Sequence, residues 1–198
     1  MEFNLKKWVQ VMNLFAHLEK KHNNKSIDKL KILKLIWISD RLHLRKYWKP
    51  IVWDTYFAME MWPVASGIKY IFDLDKEAIN EENIAYIKTY LKKFSYKLIS
   101  EKEVDYSLLS DSNVEVIEKV YLEFWHNSSS KLINITHKYP EWKKHEIDVN
   151  NWKIVRMNYF DFFENTPEQD SIFDISEEHL ELTKDIFQEN LEFDRLFS

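Results

Sequence analysis

The chain of 198 residues contains no cysteine, one glycine and four prolines. Without cysteine it can form neither a disulfide framework nor a thiolate metal site, and it has no cysteine nucleophile. A single glycine excludes glycine-rich phosphate loops, the dinucleotide-binding fingerprint and the Gly-x-Ser-x-Gly elbow of many hydrolases. We therefore do not expect phosphoryl or hydride transfer. The scarcity of glycine and proline also leaves few flexible linkers, which favours a helix-rich domain.

Long apolar runs are also missing from the sequence. Lys6, Lys7 and Gln10 interrupt the N-terminal segment, which therefore lacks the pattern of a signal peptide. No apolar stretch approaches the roughly 20 residues that a membrane span requires. These observations predict a cytoplasmic protein that does not contact a membrane.

Metal-ligand patterns are weak in this chain. Asp40 and His43 are three residues apart, but the other histidines are scattered. Structural zinc usually requires four clustered ligands, often with cysteine among them. We expect neither a metal nor another cofactor, and no catalytic residue can be assigned from the motifs.

Charge is distributed unevenly along the chain. Residues 1–60 have a net charge of +6 and the remainder has −11, giving −5 in total. A negatively charged chain without a zinc-finger or helix-turn-helix pattern is not expected to bind nucleic acid directly. Acidic residues alternate with apolar ones near the C-terminus, which predicts an acidic amphipathic extension over residues 166–198 that docks on the same chain, on a partner or on a second copy.

Hydrophobic periodicity and capping residues predict a mainly α fold, with a single compact helical domain, a few short β-strands and an acidic C-terminal helix. Ser26 is the predicted N-cap of the second helix, which must end before Pro50. Residues 51–63 have strand or extended-turn character, and 95–108 are predicted to form two short strands. The predicted helices cover approximately residues 5–20, 27–47, 64–73, 81–94, 111–125, 128–137 and 177–194.

The second predicted helix is apolar on two sides, which is typical of a helix at the centre of its domain. Asp40 lies within one of these apolar faces, so its carboxyl group must be paired or protonated. A basic stripe of Lys31, Lys34, Arg41 and Arg45 falls within roughly 80° of arc on an ideal helix. It either contacts phosphates or an acidic partner, lies in solvent beside the core, or contacts the acidic tail.

A series of short motifs in this chain resembles the pattern of the Panacea antitoxin family, over roughly residues 3–165. We therefore predict a Panacea or SocA-like antitoxin domain over residues 1–165. The order and spacing of the motifs carry the resemblance more than any single motif does. The matching positions are Lys34-Leu35, Asp40, Pro50-Ile51, Asp54-Thr55-Tyr56, Ala58-Met59, Pro63-Val64, Leu109-Ser110, Leu132, Thr136-His137 and Trp142.

The resemblance suggests that Asp40 and His137 belong to one family signature, so His137 is the expected partner of Asp40. Thr136 could add a hydroxyl donor to this network and Trp142 an indole N–H. One interpretation is a buried Asp–His couple that acts in catalysis or as a switch. The other is a structural polar network that holds the 128–137 helix against the central helix.

Three tryptophans mark a departure from the family pattern. Trp48, Trp53 and Trp62 stand where relatives often show glycine, which could change the turn geometry and any partner surface on it. These rings either fill a larger core or form a partner-binding patch, since tryptophan and tyrosine are enriched in binding hot spots. The candidate partner-binding residues are Arg41, Arg45, Trp53, Tyr56, Phe57, Met61 and Trp62.

The resemblance implies an antitoxin that binds and neutralises a co-expressed protein toxin through protein–protein contact. Alternatives are an adaptor that delivers the toxin to a protease, and a phage or host regulatory binding protein that shares the fold. A metal-dependent hydrolase using Asp40 and His137 is a further alternative from a different class. The sequence leaves the identity of the toxin and the oligomeric state open.

Overall fold

The computed structural model describes residues 4–59, 62–166 and 171–197. Within these ranges the protein is mainly α-helical, as predicted, with short strands in two small antiparallel sheets. The helices are α1 (Leu5–Asn23), α2 (Lys29–Tyr47), α3 (Ser66–Asp73), α4 (Glu81–Tyr90), α5 (Asp111–Phe124), α6 (Ser129–Thr136), α7 (Pro140–Lys143), α8 (Glu146–Asn150) and α9 (Glu177–Phe197). The strands are β1 (Ile27–Asp28), β2 (Tyr56–Met59), β3 (Trp62–Ala65), β4 (Leu91–Phe94), β5 (Lys97–Ser100) and β6 (Val155–Arg156). Short 3₁₀ turns lie at Tyr106–Leu108, Tyr159–Phe163 and Ser171–Phe173.

The central helix of the fold is α2, as its two apolar stripes predict. Every residue from Lys31 to Arg45 is buried. Helices α1, α5, α6 and α9 and strand β3 all pack against it. A helix with apolar residues on two sides is stable only when both sides are covered, which explains this central position.

The start of α2 differs from the predicted cap. Asp28, rather than Ser26, is the N-cap, and its Oδ1 accepts a hydrogen bond from the backbone N–H of Lys31 at 2.9 Å. Ile27 and Asp28 are extended because they pair with Leu98 and Lys97 of β5. The strand pairing therefore delays the helix by two residues, and the prediction of Ser26 as the cap is wrong.

The first sheet has the strand order β1-β5-β4. The hairpin of β4 and β5 turns at Ser95, whose φ is 55°. Both strands begin earlier than predicted, and α4 ends at Tyr90 instead of 94. The strand alternation buries Leu91 and Leu98, while the lysines of this segment remain on the outside.

The second sheet has the order β3-β2-β6 and positions the site described below. Strands β2 and β3 pair antiparallel with Tyr56 opposite Ala65, which confirms the extended character predicted for this segment. Strand β6 lies at the sheet edge, with Phe57 opposite Arg156. The chain after β6 is thereby held beside the start of β2.

Trp48 and Trp53 both adopt the left-handed backbone conformation, with φ of 57° and 56°. Trp48 is the C-cap residue of α2, a position at which helices often end with glycine. The tryptophan side chains therefore do not prevent a positive φ at these two positions, although a bulky residue there is strained. Trp62 lies in strand β3.

The acidic helix α9 docks on the same chain. Phe187 is buried, and the Thr183 hydroxyl donates to the backbone oxygen of Arg45 at 3.1 Å. His179 Nε2 lies 2.9 Å from the backbone oxygen of Lys46. Of the docking alternatives for this helix, the structure shows the intramolecular one. None of the helices in the described ranges has the length and apolar character that crossing a membrane requires.

Candidate functional site

The Asp40 carboxylate is buried and binds the turn that follows α2. Its Oδ1 accepts hydrogen bonds from the backbone N–H groups of Ile51 and Val52 at 2.9 and 3.0 Å. Its Oδ2 accepts the phenolic hydrogen of Tyr56 at 2.9 Å. Burial raises the pKa of Asp40 to about 7, although all three hydrogen bonds act in the opposite direction. The group fastens the turn and the first residue of β2 to the central helix.

The predicted pairing of Asp40 with His137 is wrong. The His137 ring stacks on the Trp142 indole, with centroids 3.7 Å apart and planes within 7° of parallel. Burial lowers the pKa of His137 to about 4, and the charge of Lys34 acts in the same direction. The Thr136 hydroxyl donates to the backbone oxygen of Ile133, in its own helix.

Trp142 connects two distant elements, but they are α7 and β2, not the 128–137 helix and the central helix that the polar-network interpretation named. Its indole Nε1–H donates to the backbone oxygen of Met59, at the end of β2, across 3.2 Å. The network thus consists of separate bonds around α2 instead of one chain from Asp40 to His137. The Asp40–His137 couple that a hydrolase would require does not form.

Arg41 and Arg45 are buried, so the prediction that they form a partner-binding surface is wrong. Arg41 Nη1 donates to both carboxylate oxygens of Glu141, at 2.8 and 2.7 Å. Its guanidinium lies 4.7 Å from the centroid of the Tyr139 ring. Arg45 donates to main-chain oxygens, including that of Phe163 at 2.7 Å. The segment between α6 and α9 covers this side of α2, which a helical projection cannot show.

Glu141 is fully buried beside Arg41. Burial raises the pKa of this carboxyl group, and the positive charge of Arg41 acts against that rise. Such a pair contributes little net stability over apolar packing, but removing one partner leaves a buried charge uncompensated. The pair therefore fixes how the α7 segment sits on α2.

The remaining predicted partner-binding residues do not share one environment where the structure describes them. Tyr56 is buried at Asp40, whereas Trp53 and Phe57 are half-buried. Met61 lies outside the described residues, and Trp62 belongs to β3. Of this set, Trp53 and Phe57 are therefore partly exposed at the surface.

Trp53 borders a surface cavity, which we call the Trp53 groove. It is lined by residues 53–55, residues 156–160 and, from α9, Phe187, Leu191 and Arg195. Its volume is about 420 Å³. Volumes of this size are typical of ligand-binding clefts.

Aromatic rings form the floor of the Trp53 groove. Trp53 stacks on Tyr159, with centroids 5.6 Å apart and planes at 24°, and also contacts Phe187 at 5.5 Å. Phe160 meets Phe187 edge-on at 5.3 Å. The Tyr159 hydroxyl donates to the backbone oxygen of Asp54 at 2.8 Å, so the ring is fixed at its polar end as well.

Asp54 lines the groove, and its carboxylate is hydrogen-bonded within the protein. It accepts hydrogen bonds from the backbone N–H groups of Thr55, Gly67 and Ile68 and from the Ser66 hydroxyl. Burial raises its pKa, and these bonds oppose the rise. Asp54 thereby satisfies the free N–H groups at the start of α3, a role that sequence reasoning did not assign.

Two arginines on the rim were also missed by sequence reasoning. Arg156 is the second residue of the two-residue strand β6, and Arg195 is one of two basic residues in the acidic α9. A basic residue near the end of an otherwise acidic helix was the sequence feature that could have drawn attention to Arg195. Among the described residues, no cluster of three histidine, aspartate or glutamate side chains could hold a metal ion.

Comparison with known proteins gives one match. The sequence model of the family described as antitoxin SocA-like, Panacea domain matches residues 32–143, more than half of the chain. No curated protein and no solved structure matches the chain. The matched region runs from α2 to α7 and includes Asp40, Asp54 and Trp142, whereas residues 156–160 and α9 lie outside it.

Proposed function

The chain belongs to the SocA-like Panacea antitoxin family, and on that basis we propose that it binds and neutralises a co-expressed protein toxin. The family supports a role in a toxin–antitoxin system in general. The finer mechanism that we propose is stoichiometric protein–protein contact, without a reaction on the toxin. A complex of this kind needs surface complementarity and no catalytic group.

The family match is the observation that carries this proposal, and the use of the motif residues supports it. Asp40 and Asp54 each hold main-chain N–H groups, and Trp142 bonds a main-chain oxygen. Catalytic groups must reach a substrate, whereas these groups are buried and satisfied inside the protein. The shared motif therefore builds a scaffold, and binding specificity is left to the surface.

Affinity purification of the tagged protein from its native host, followed by mass spectrometry, tests the proposal. We expect one near-stoichiometric partner that arrests growth when expressed alone and is harmless when co-expressed with this chain. A partner that is harmless alone, or that still arrests growth beside this chain, would contradict the antitoxin role.

Measuring the level of the toxin separates neutralisation from delivery to a protease. Direct neutralisation leaves the amount of toxin unchanged while its effect disappears. An adaptor instead lowers the amount of toxin, and the loss stops when the responsible protease is inactivated. Pulse-chase labelling of the toxin with and without this chain reports the difference directly.

A further inference from the structure

We propose that the Trp53 groove binds an acidic segment of the partner protein, with an apolar side chain on the aromatic floor and carboxylates at Arg156 and Arg195. This inference rests on the proposed function and names the site and the chemistry of the contact. It concerns residues of which most lie outside the matched region, where partner specificity can differ between family members.

The floor of the groove is preorganised for an apolar side chain. Trp53, Tyr159 and Phe187 hold one another by ring contacts between 5.5 and 6.3 Å. Phe187, which belongs to α9, is only 1% exposed, so it supports the rings of Trp53 and Tyr159 from the buried side. Little side-chain entropy remains to be lost when a partner binds such a surface, which is what makes rigid aromatic anchors effective.

The rim carries unused positive charge. Arg156 and Arg195 are both exposed, and within the described part of the chain neither guanidinium forms a salt bridge. The Asp54 carboxylate does not pair with these arginines, because it accepts hydrogen bonds from the backbone at the start of α3. Arginine binds carboxylates through two parallel N–H donors, so this rim suits acidic side chains.

The charge of the rim contrasts with that of its surroundings. Helix α9 contains seven acidic residues and two basic ones, and Arg195 is the one that reaches the groove. A favourable interaction with the helix C-terminus accounts for a cation in the last turn, but not for a second cation, from β6, that lines the same groove. An acidic segment that enters between the two arginines meets complementary charge locally, while acidic neighbours disfavour other approaches.

A nucleic acid is the less favoured occupant of this site. Binding to a phosphate backbone depends on many cations that release counterions together, and two arginines supply few. The aliphatic side chains of Met157 and Leu191 in the lining suit an apolar side chain better than a nucleobase. The observations therefore favour an acidic peptide segment.

The first test uses peptides on the full chain. The probe is acetyl-Asp-Glu-Leu-Phe-Glu-Asp-amide, and its control is the neutral Asn/Gln counterpart with the same Leu-Phe core. Binding is followed by the ¹⁵N–¹H indole signals of the eight tryptophans, and Trp53→Phe identifies the signal of Trp53. We expect the acidic peptide to shift the Trp53 signal and the neutral one to bind at least about tenfold more weakly.

Matched variants test whether Arg156 and Arg195 supply the positive charge that binds the acidic peptide. Arg156→Gln with Arg195→Gln should weaken binding of the acidic peptide at least about tenfold and leave the neutral peptide unaffected. Lys184→Gln removes a positive charge from an exposed position of the same helix and should change nothing. Thermal unfolding of each variant shows that the fold is intact. Equal binding of both peptides, no shift at Trp53, or a shift that the double variant retains would overturn the proposal, as would tighter binding of an oligothymidylate.

The second test uses the toxin identified by affinity purification. Loss of toxin binding and growth protection in the double variant, but not in Lys184→Gln, supports the groove as the toxin site. Full protection by the double variant means that the groove proposal is wrong while the antitoxin function stands. If the unmodified chain gives no protection against any co-purifying protein, the proposed function fails, and the peptide result still decides the chemistry of the groove.

Discussion

Tyr56 donates its phenolic hydrogen to Oδ2 of Asp40 across 2.9 Å, and both residues are almost completely buried. The same carboxylate accepts two main-chain N–H groups through its other oxygen. Three donors converge on one group between α2 and β2, so the carboxylate fixes the path of the chain after Pro50. Burial nevertheless raises the pKa of Asp40 to about 7, which makes its contribution to stability depend on pH.

The sign of this pH dependence follows from linkage. The folded protein holds a proton on Asp40 up to a pH of about 7, whereas the unfolded chain releases it near pH 3.8. The contribution of Asp40 to the free energy of unfolding therefore falls as the pH rises from about 4 to 7. His43 and His137, whose pKa values are lowered to about 4, act in the opposite direction over pH 4 to 6.5, so the comparison must be made with a variant.

Asp40→Asn should therefore gain stability relative to the unmodified protein as the pH rises from 5 to 8, because the amide cannot ionise. It keeps an acceptor oxygen for Ile51 and Val52. Asp40→Ala should lose about 2–4 kcal/mol at pH 5, since it leaves two buried N–H groups without a partner, and less at pH 8, where the contribution of Asp40 itself is smaller. Urea unfolding at several pH values measures both, and a difference between Asp40→Asn and the unmodified protein that does not change with pH would contradict the titration of Asp40.

Removal of one partner of the Arg41–Glu141 pair should be more harmful than removal of both. Arg41→Met leaves the buried Glu141 carboxylate without its cation and should lower the free energy of unfolding by about 3–5 kcal/mol. The double variant Arg41→Met, Glu141→Met should recover part of this loss, because it leaves no uncompensated charge. Chemical denaturation of the two single variants and the double variant gives the coupling energy. Simple additivity of the two single losses would show that the pair is not coupled.

Gly67 has no room for a side chain. A Cβ atom there would lie 2.2 Å from Cζ3 of Trp8 and 3.3 Å from Oδ1 of Asp54. Gly67→Ala should therefore lower the free energy of unfolding by about 1–3 kcal/mol through overpacking. In a Trp8→Leu background, where the clashing ring is absent, the same substitution should cost clearly less. An equal cost in both backgrounds would assign the effect to something other than Trp8.

The left-handed backbone at Trp48 predicts an unusual order among its substitutions. Trp48→Ala and Trp48→Gly both lose the half-buried ring, so the loss of its packing is the same in both variants. Glycine adopts a positive φ without strain, whereas alanine does not, so Trp48→Gly should be more stable than Trp48→Ala by about 1 kcal/mol. Thermal unfolding measures the difference. At Ala85, an exposed position inside α4, the same comparison should favour alanine.

Sequence reasoning predicted the apolar framework better than the polar contacts. The stripes of α2 indicated its central position because apolar periodicity reports directly which faces are buried. The basic stripe was misplaced because a helical projection shows which residues share a face but not what covers it. Glu141, the partner of Arg41, is 100 residues away in sequence, and no local pattern connects them. Met61, one of the candidate partner-binding residues, lies outside the described residues and remains a prediction.

The amino-acid sequence by itself determined that this chain folds as a mainly α protein around one central helix and carries the motifs of its family. Local spacing is sufficient for this, since helix formation and apolar burial depend on near neighbours and on composition. Only the tertiary structure decided the partners of Asp40, the burial of Arg45, and the meeting of Trp53, Arg156 and Arg195 in one groove. Polar side chains bond to whatever the fold brings within reach, and those groups lie far apart along the chain.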